Sequence, residues 1–177
     1  MRLEDIRIDV VIVVFLIALG LAMGLQGFAH RKLVIEPMYQ AFANIDGVKG
    51  VELTEQDDQI TLTLDLGAVE RLDVLVAEIK AAAAGFSQPV KVKLKDNINH
   101  MLAKAYDRMH IAVEQGIATG HFVEMAEQIE QLAAEYSIDF TLKVDGDYVY
   151  LQLLDGDNFL IQVISRHEES LITRLGS

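Results

Sequence analysis

Residues Val10–Phe28 read VVIVVFLIALGLAMGLQGF, nineteen positions without a charge and with Gln26 as the strongly polar exception. A helix rises about 1.5 Å per residue, so the run covers roughly 28 Å, close to the hydrocarbon thickness of a bilayer. Asp9 bounds it on one side, and Arg31 and Lys32 on the other. A cleaved signal peptide fits poorly. The segment ahead, RLEDIRID, mixes Arg2 and Arg7 with Glu4, Asp5 and Asp9, and the exit GFAHRK lacks a small-x-small site. A buried core helix rarely runs this long without a charge and then ends on His30-Arg31-Lys32. The length rule predicts a retained transmembrane helix. The expected fold class is α+β: a single N-terminal transmembrane helix followed by a soluble α/β part.

Within the run, Gly20 and Gly24 stand four apart on one helix face. Such a small-xxx-small pair lets a second helix approach closely, so Gly20 and Gly24 are candidates for self-association in the membrane. Glycine is also simply common in membrane helices. Lysine and arginine tie across the span, with Arg2 and Arg7 before it and Arg31 and Lys32 after it. A short tail ahead of a long domain is the signal-anchor layout. The expectation is a single-pass protein of the cell membrane with its soluble domain outside the cytoplasm.

The chain holds 15 basic and 27 acidic side chains. Residues 1–32 take four and three of these, leaving eleven against twenty-four, a net charge of −13, for the rest. Such a domain repels nucleic acid and anionic lipid surfaces. Without cysteine there is no disulfide, thiolate nucleophile or Cys-ligated zinc. The part beyond the anchor is long enough to bury one ordinary core or two small ones.

The organisation expected is a tail at 1–9, the membrane helix at 10–28 and a stalk at 29–46 interrupted at Pro37. A β-β-α-β module at 47–96, an α-α-β-β-β module at 97–166 and a tail at 167–177 follow, the tail a short helix or disordered. Val48, Val51 and Leu53 lead through a polar turn to Ile60, Leu62, Leu64 and Leu66, which alternate with Thr61, Thr63 and Asp65. That period of two is a half-buried strand in a hairpin. Leu72, Leu75, Val76, Ile79, Ala82 and Ala83 mark one face of a helix over 68–84 that Gly85 caps. Val90–Leu94 reads as another strand. Two helices follow, on the stripes from Ile98 to Val113 and from Phe122 to Tyr136. An antiparallel meander closes the module, with Asp145-Gly-Asp147 and Asp155-Gly-Asp157 as its turns. Many residues on both faces of its strands are apolar, which predicts helices over at least part of both sides. Whether the two halves share one sheet is open. The β-β-α-β order over 47–95 behind one anchor is broadly similar in layout to the small α/β modules that build rings in secretion and sporulation assemblies.

Catalytic and metal motifs are not evident. His30, His100, His110, His121 and His167 form no H-x-x-x-H or H-x-x-E-H pair. A calcium loop needs a bidentate Glu at its twelfth position, where counting from Asp145 or Asp155 reaches Gly156 or Arg166. G-x-S-x-G and phosphate-loop patterns are missing. Lys91, Lys93 and Lys95 alternate with Val90, Val92 and Leu94, so on a strand all three ammonium groups share a face. The row is either a solvated face, an edge guarded by lysine, or a contact for an acidic surface such as a neighbouring copy. The expectation is a non-enzymatic, membrane-anchored structural or assembly protein without cofactor, partnered by the lipid bilayer and by its own copies or another membrane protein. The alternative is a membrane-anchored sensory or small-ligand-binding domain. Replacing Gly20 and Gly24 by Ile is expected to weaken self-association of the membrane helix, read as a drop in energy transfer between labelled copies in vesicles.

Overall fold

In the computed structural model, residues 33, 35–56, 59–67 and 69–167 are described, with 15, 16 and 19, and with 172–174 by their backbone. The predicted membrane helix therefore lies almost wholly outside the described residues. Phe15, Leu16 and Leu19 within it are helical and exposed. Among the described residues, no helix is long and apolar enough to cross a membrane.

The chain divides into two compact units, Met1–Gln40 and Ala41–Ser177, and both sheets lie in the second. Helix α1 (Glu36–Ala43) crosses the boundary, with Met38 and Phe42 fully buried. The interruption expected at Pro37 takes the form of a wider, π-type turn at residues 33 and 35, ahead of the regular helix. A proline removes one helical N–H and crowds the preceding turn, and a widened turn absorbs both effects.

The first sheet runs β1-β2-β3-β7, built from β1 (Val48–Gln56), β2 (Gln59–Leu66), β3 (Val90–Lys95) and β7 (Ile172–Arg174). β1 and β2 form the predicted hairpin; β2 and β3 are parallel, joined through α2 (Leu72–Ala84). One face of β2 and β3 carries Ile60, Leu62, Leu64, Leu66, Val90, Val92 and Leu94, all buried. The crossover lays over it the apolar stripe of α2: Leu72, Leu75, Val76, Ile79 and Ala83. The helix starts four residues later than expected, and ahead of it the Gly67 N–H is bonded to the Gly47 carbonyl at 3.0 Å. β7 corrects the reading of the tail. It pairs in parallel with β3 over Val92–Leu94, so β3 is an interior strand and its lysines guard no edge.

The second sheet is the predicted meander, β4 (Asp139–Val144), β5 (Tyr148–Asp155) and β6 (Asn158–Ser165). Helices α3 (His100–Thr119) and α4 (Phe122–Tyr136) cover one face of it. Leu102, Met109 and Val113 of α3 meet Met125 and Ile129 of α4 over Val149, Leu151, Leu153 and Leu160. Gly120 with φ 75° and Ser137 with φ 55° take the left-handed geometry that ends these helices. Gly116 lets the pair close. A Cβ built there meets Met125 Sδ at 2.7 Å and Met125 Cβ at 2.9 Å. On the other face of β5, Tyr148, Tyr150 and Gln152 are buried as well, and α2 reaches it with Lys80 4.7 Å over the Tyr148 ring.

The connector between β3 and α3 joins the two sheets. The Asn97 carbonyl accepts the Phe159 N–H at 2.8 Å, and the Asp96 carboxylate accepts the Ile161 N–H at 2.9 Å. Asn99 caps α3 by accepting the Leu102 N–H at 2.9 Å, and its amide donates to Asp155 at 2.7 Å. The halves are thus two sheets within one compact unit.

An alanine in place of an ordinary mid-helix glycine gains about 1 kcal/mol. At Gly116 the sign reverses. Gly116→Ala is expected to lose about 1–2 kcal/mol through overpacking against Met125, measured as a lower urea midpoint.

Candidate functional site

The outward face of the first sheet is a polar surface built by strand alternation. Lys91, Lys93 and Lys95 stand opposite Thr61, Thr63 and Asp65 on β2. Those in turn stand opposite Thr54, Glu52 and Gly50 on β1. Alternate residues of a strand lie roughly 6.7 Å apart, so three ammonium groups line about 13 Å of β3. Lys95 Nζ lies 3.2 Å from Asp65 Oδ2, with both side chains about half exposed at 48% and 50%. Lys91 and Lys93 are half-buried and form no salt bridge among the described residues. An interior strand holds this row rigidly, since β3 is hydrogen-bonded on both sides.

A second polar group ties α2 to the second sheet. Asp73 accepts from Arg71 at 3.0 Å and from Lys143 of β4 at 2.9 Å. Those two hydrogen bonds, Arg71 first, hold its carboxyl well below the usual carboxylate range. Two turns along, Lys80 lies 3.7 Å from Asp147. The Tyr150 hydroxyl donates to Asp145 at 2.7 Å. Burial and that bond push the Tyr150 phenol up. Burial also opposes the charge on Asp145, but Tyr150 and the backbone N–H groups of Tyr148 and Asp147 outweigh it and lower its pKa. The predicted DGD turn is therefore a self-capped turn, its aspartate satisfied by its own strand. Beside α2 lies a cleft of about 320 Å³ lined by Asp46, Glu70, Arg71, Val74 and Glu78.

Comparison with protein families, with curated proteins and with solved structures found no match.

The structure gathers Lys91, Lys93 and Lys95 on one face, as the alternation required. Gly20 and Gly24 lie outside the described residues. His121 sits 3.5 Å from Glu124, and His167 sits 3.9 Å from Asp147. Among the described residues, no group of three His, Asp or Glu side chains is placed to hold a metal ion. Two features escaped the sequence reading. Asp65 as the partner of Lys95 was within reach, because Thr61, Thr63 and Asp65 show the alternation that places them beside the lysines. The Asp73–Lys143 pair was not, since seventy residues separate its members.

Asp73 is favoured in its charged form by folding. It contributes stability that is present above the unfolded carboxylate pKa of about 3.9 and is lost as pH falls toward the depressed folded value. Both cationic partners are largely solvated, so Asp73→Asn is expected to cost about 1 kcal/mol at neutral pH. In thermal melts that gap between wild type and variant holds above pH about 5, begins to narrow near pH about 4 and closes only as pH falls toward the depressed folded value.

Proposed function

We propose that this chain is a non-enzymatic, single-pass membrane protein that builds assemblies with its own copies. The helix at 10–28 sits in the bilayer, and the acidic α/β part stands outside the cytoplasm. The observation that carries the reading is the row of Lys91, Lys93 and Lys95 on an open, interior-strand face of a chain whose net charge is −12. Such a row recognises an acidic surface, and a neighbouring copy offers one at high local concentration. The glycines Gly20 and Gly24 would support the same association within the membrane.

The magnitudes fit a tethered protein better than a free one. Each exposed lysine–carboxylate pair contributes roughly 0.2–1 kcal/mol, and salt weakens it. Three such pairs do not hold two free proteins together at micromolar concentration. Confinement in one membrane turns the contact into a near-intramolecular one, where a small gain is enough.

A second reading rests on the cleft beside α2, whose 320 Å³ and carboxylates Asp46, Glu70 and Glu78 suit a small cationic ligand. Titration with spermidine, followed by calorimetry and by Glu78→Gln, separates it from the first reading.

Reversing Lys91, Lys93 and Lys95 to Glu is expected to weaken assembly of the full-length protein in nanodiscs about tenfold at 20 mM salt, and little at 500 mM. Reversing Lys49, Lys104 and Arg108 gives the same net charge and serves as control. Equal loss in both variants, by native mass spectrometry, removes the lysine face from the reading.

A further inference from the structure

We infer that the outer edge of β4 is a two-fold interface, on which β4 of a second copy pairs antiparallel about Thr141. The inference rests on the self-association reading and names a contact distinct from the lysine face.

Sheet edges present unpaired backbone donors and acceptors, and proteins normally blunt them. β1 is blunted. Its register slips between Val48 and Gly50, and it exposes Glu52 and Glu55. β7 spans three residues, and β6 is bridged at Phe159 by Asn97. β4 also exposes two charges, Asp139 and Lys143, but no register slip or bridge interrupts it. Its six residues pair with β5 in unbroken register from Asp139–Leu154 to Val144–Val149. Among the described residues, no strand pairs with its other side. Asp139, Thr141, Lys143 and Val144 are exposed, and Phe140 and Leu142 are half-buried.

The sequence of this edge, DFTLKV, is complementary to itself when reversed about Thr141. A two-fold axis there sets Asp139 against Lys143 of the second copy, and Lys143 against its Asp139. Phe140 falls against Leu142 twice, on the face that α3 and α4 cover. Val144, 36% exposed, falls against Ile138. Opposite charges and aromatic–aliphatic pairs directly across an antiparallel ladder are the favourable ones. Other centres lose this match. Moving the axis to Leu142 sets Asp139 against Asp145, and moving it to Phe140 leaves both charges without a partner. Lys143 keeps its bond to Asp73 throughout, because an ammonium has three donors. The same patch on both copies makes the contact isologous, so it closes a pair. The lysine row needs a different, acidic surface and makes a heterologous contact. A chain with both can extend pairs into larger assemblies.

The absence of cysteine makes the test clean. Thr141→Cys in the full-length protein in nanodiscs is expected to give a disulfide dimer under mild oxidation, since residue 141 meets its own copy on the axis. Adding Asp139→Lys, or adding Lys143→Asp, is expected to cut that dimer at least tenfold, by setting like charges opposite. Mixing the two charge variants, one carrying a mass tag, is expected to restore a tagged–untagged dimer, because each supplies the sign the other lacks. Failure of the Thr141→Cys protein to cross-link, or cross-linking indifferent to both charge changes, overturns the β4 interface while an oligomeric wild type leaves self-association standing. A wild type that stays monomeric by mass at every loading overturns both.

Discussion

Asp96, Asn97 and Asn99, in the four-residue connector between β3 and α3, are the joint on which the architecture depends. Each uses a short side chain or its backbone to bond across to β6 or to the β5–β6 turn. Asn97 alone does so twice, with its carbonyl to Phe159 and its amide to the Asp157 carbonyl at 3.2 Å. The joint matters because the second sheet does not complete its burial with its own helices. β5 is buried on both faces, and α3 with α4 cover one of them. The other is closed by α2, a helix of the first half, and the connector holds the halves in that relation. Buried polar groups stabilise only when bonded, and here Asp96 and Asn99 are satisfied by the elements they join.

With that relation held, the outer surfaces differ in character. The first sheet turns its alternation outward as lysine, threonine and aspartate on a rigid interior strand. The second sheet leaves β4 as a regular edge with opposite charges near its two ends. In the proposed reading, the first surface takes an acidic neighbour and the second its own likeness. As proposed, both contacts are individually small, and both would gain from confinement in a plane, where the entropy of meeting is already reduced. A strongly acidic chain also keeps copies apart except where charge is locally reversed. The acid excess and the lysine row are in that sense complementary features of one design.

The polar groups between the halves add specificity more than energy. Asp73 between Arg71 and Lys143, and Lys80 between Asp147 and Tyr148, are partly solvated and contribute modestly. They orient α2 on the second sheet, where apolar contact alone permits sliding.

Local pattern determined most of the elements. The period of two in Ile60–Leu66, the helical stripes of α2, α3 and α4, and the Gly-containing turns of the meander are short-range signals; the elements appear, though α2 starts late, Ile98 falls ahead of α3 and Met101 on its stripe is exposed. The placement of Lys91, Lys93 and Lys95 on one face appears too, and follows from strand geometry alone. What the tertiary structure decided are the long-range pairings. Three residues of the tail pair with β3 and make it interior, with no periodicity to announce them. Asp73 reaches Lys143, and Asn97 meets Phe159, because packing brings them together across sixty or more residues. The hydrophobic period reports which side of an element is buried; only the folded chain determines against what.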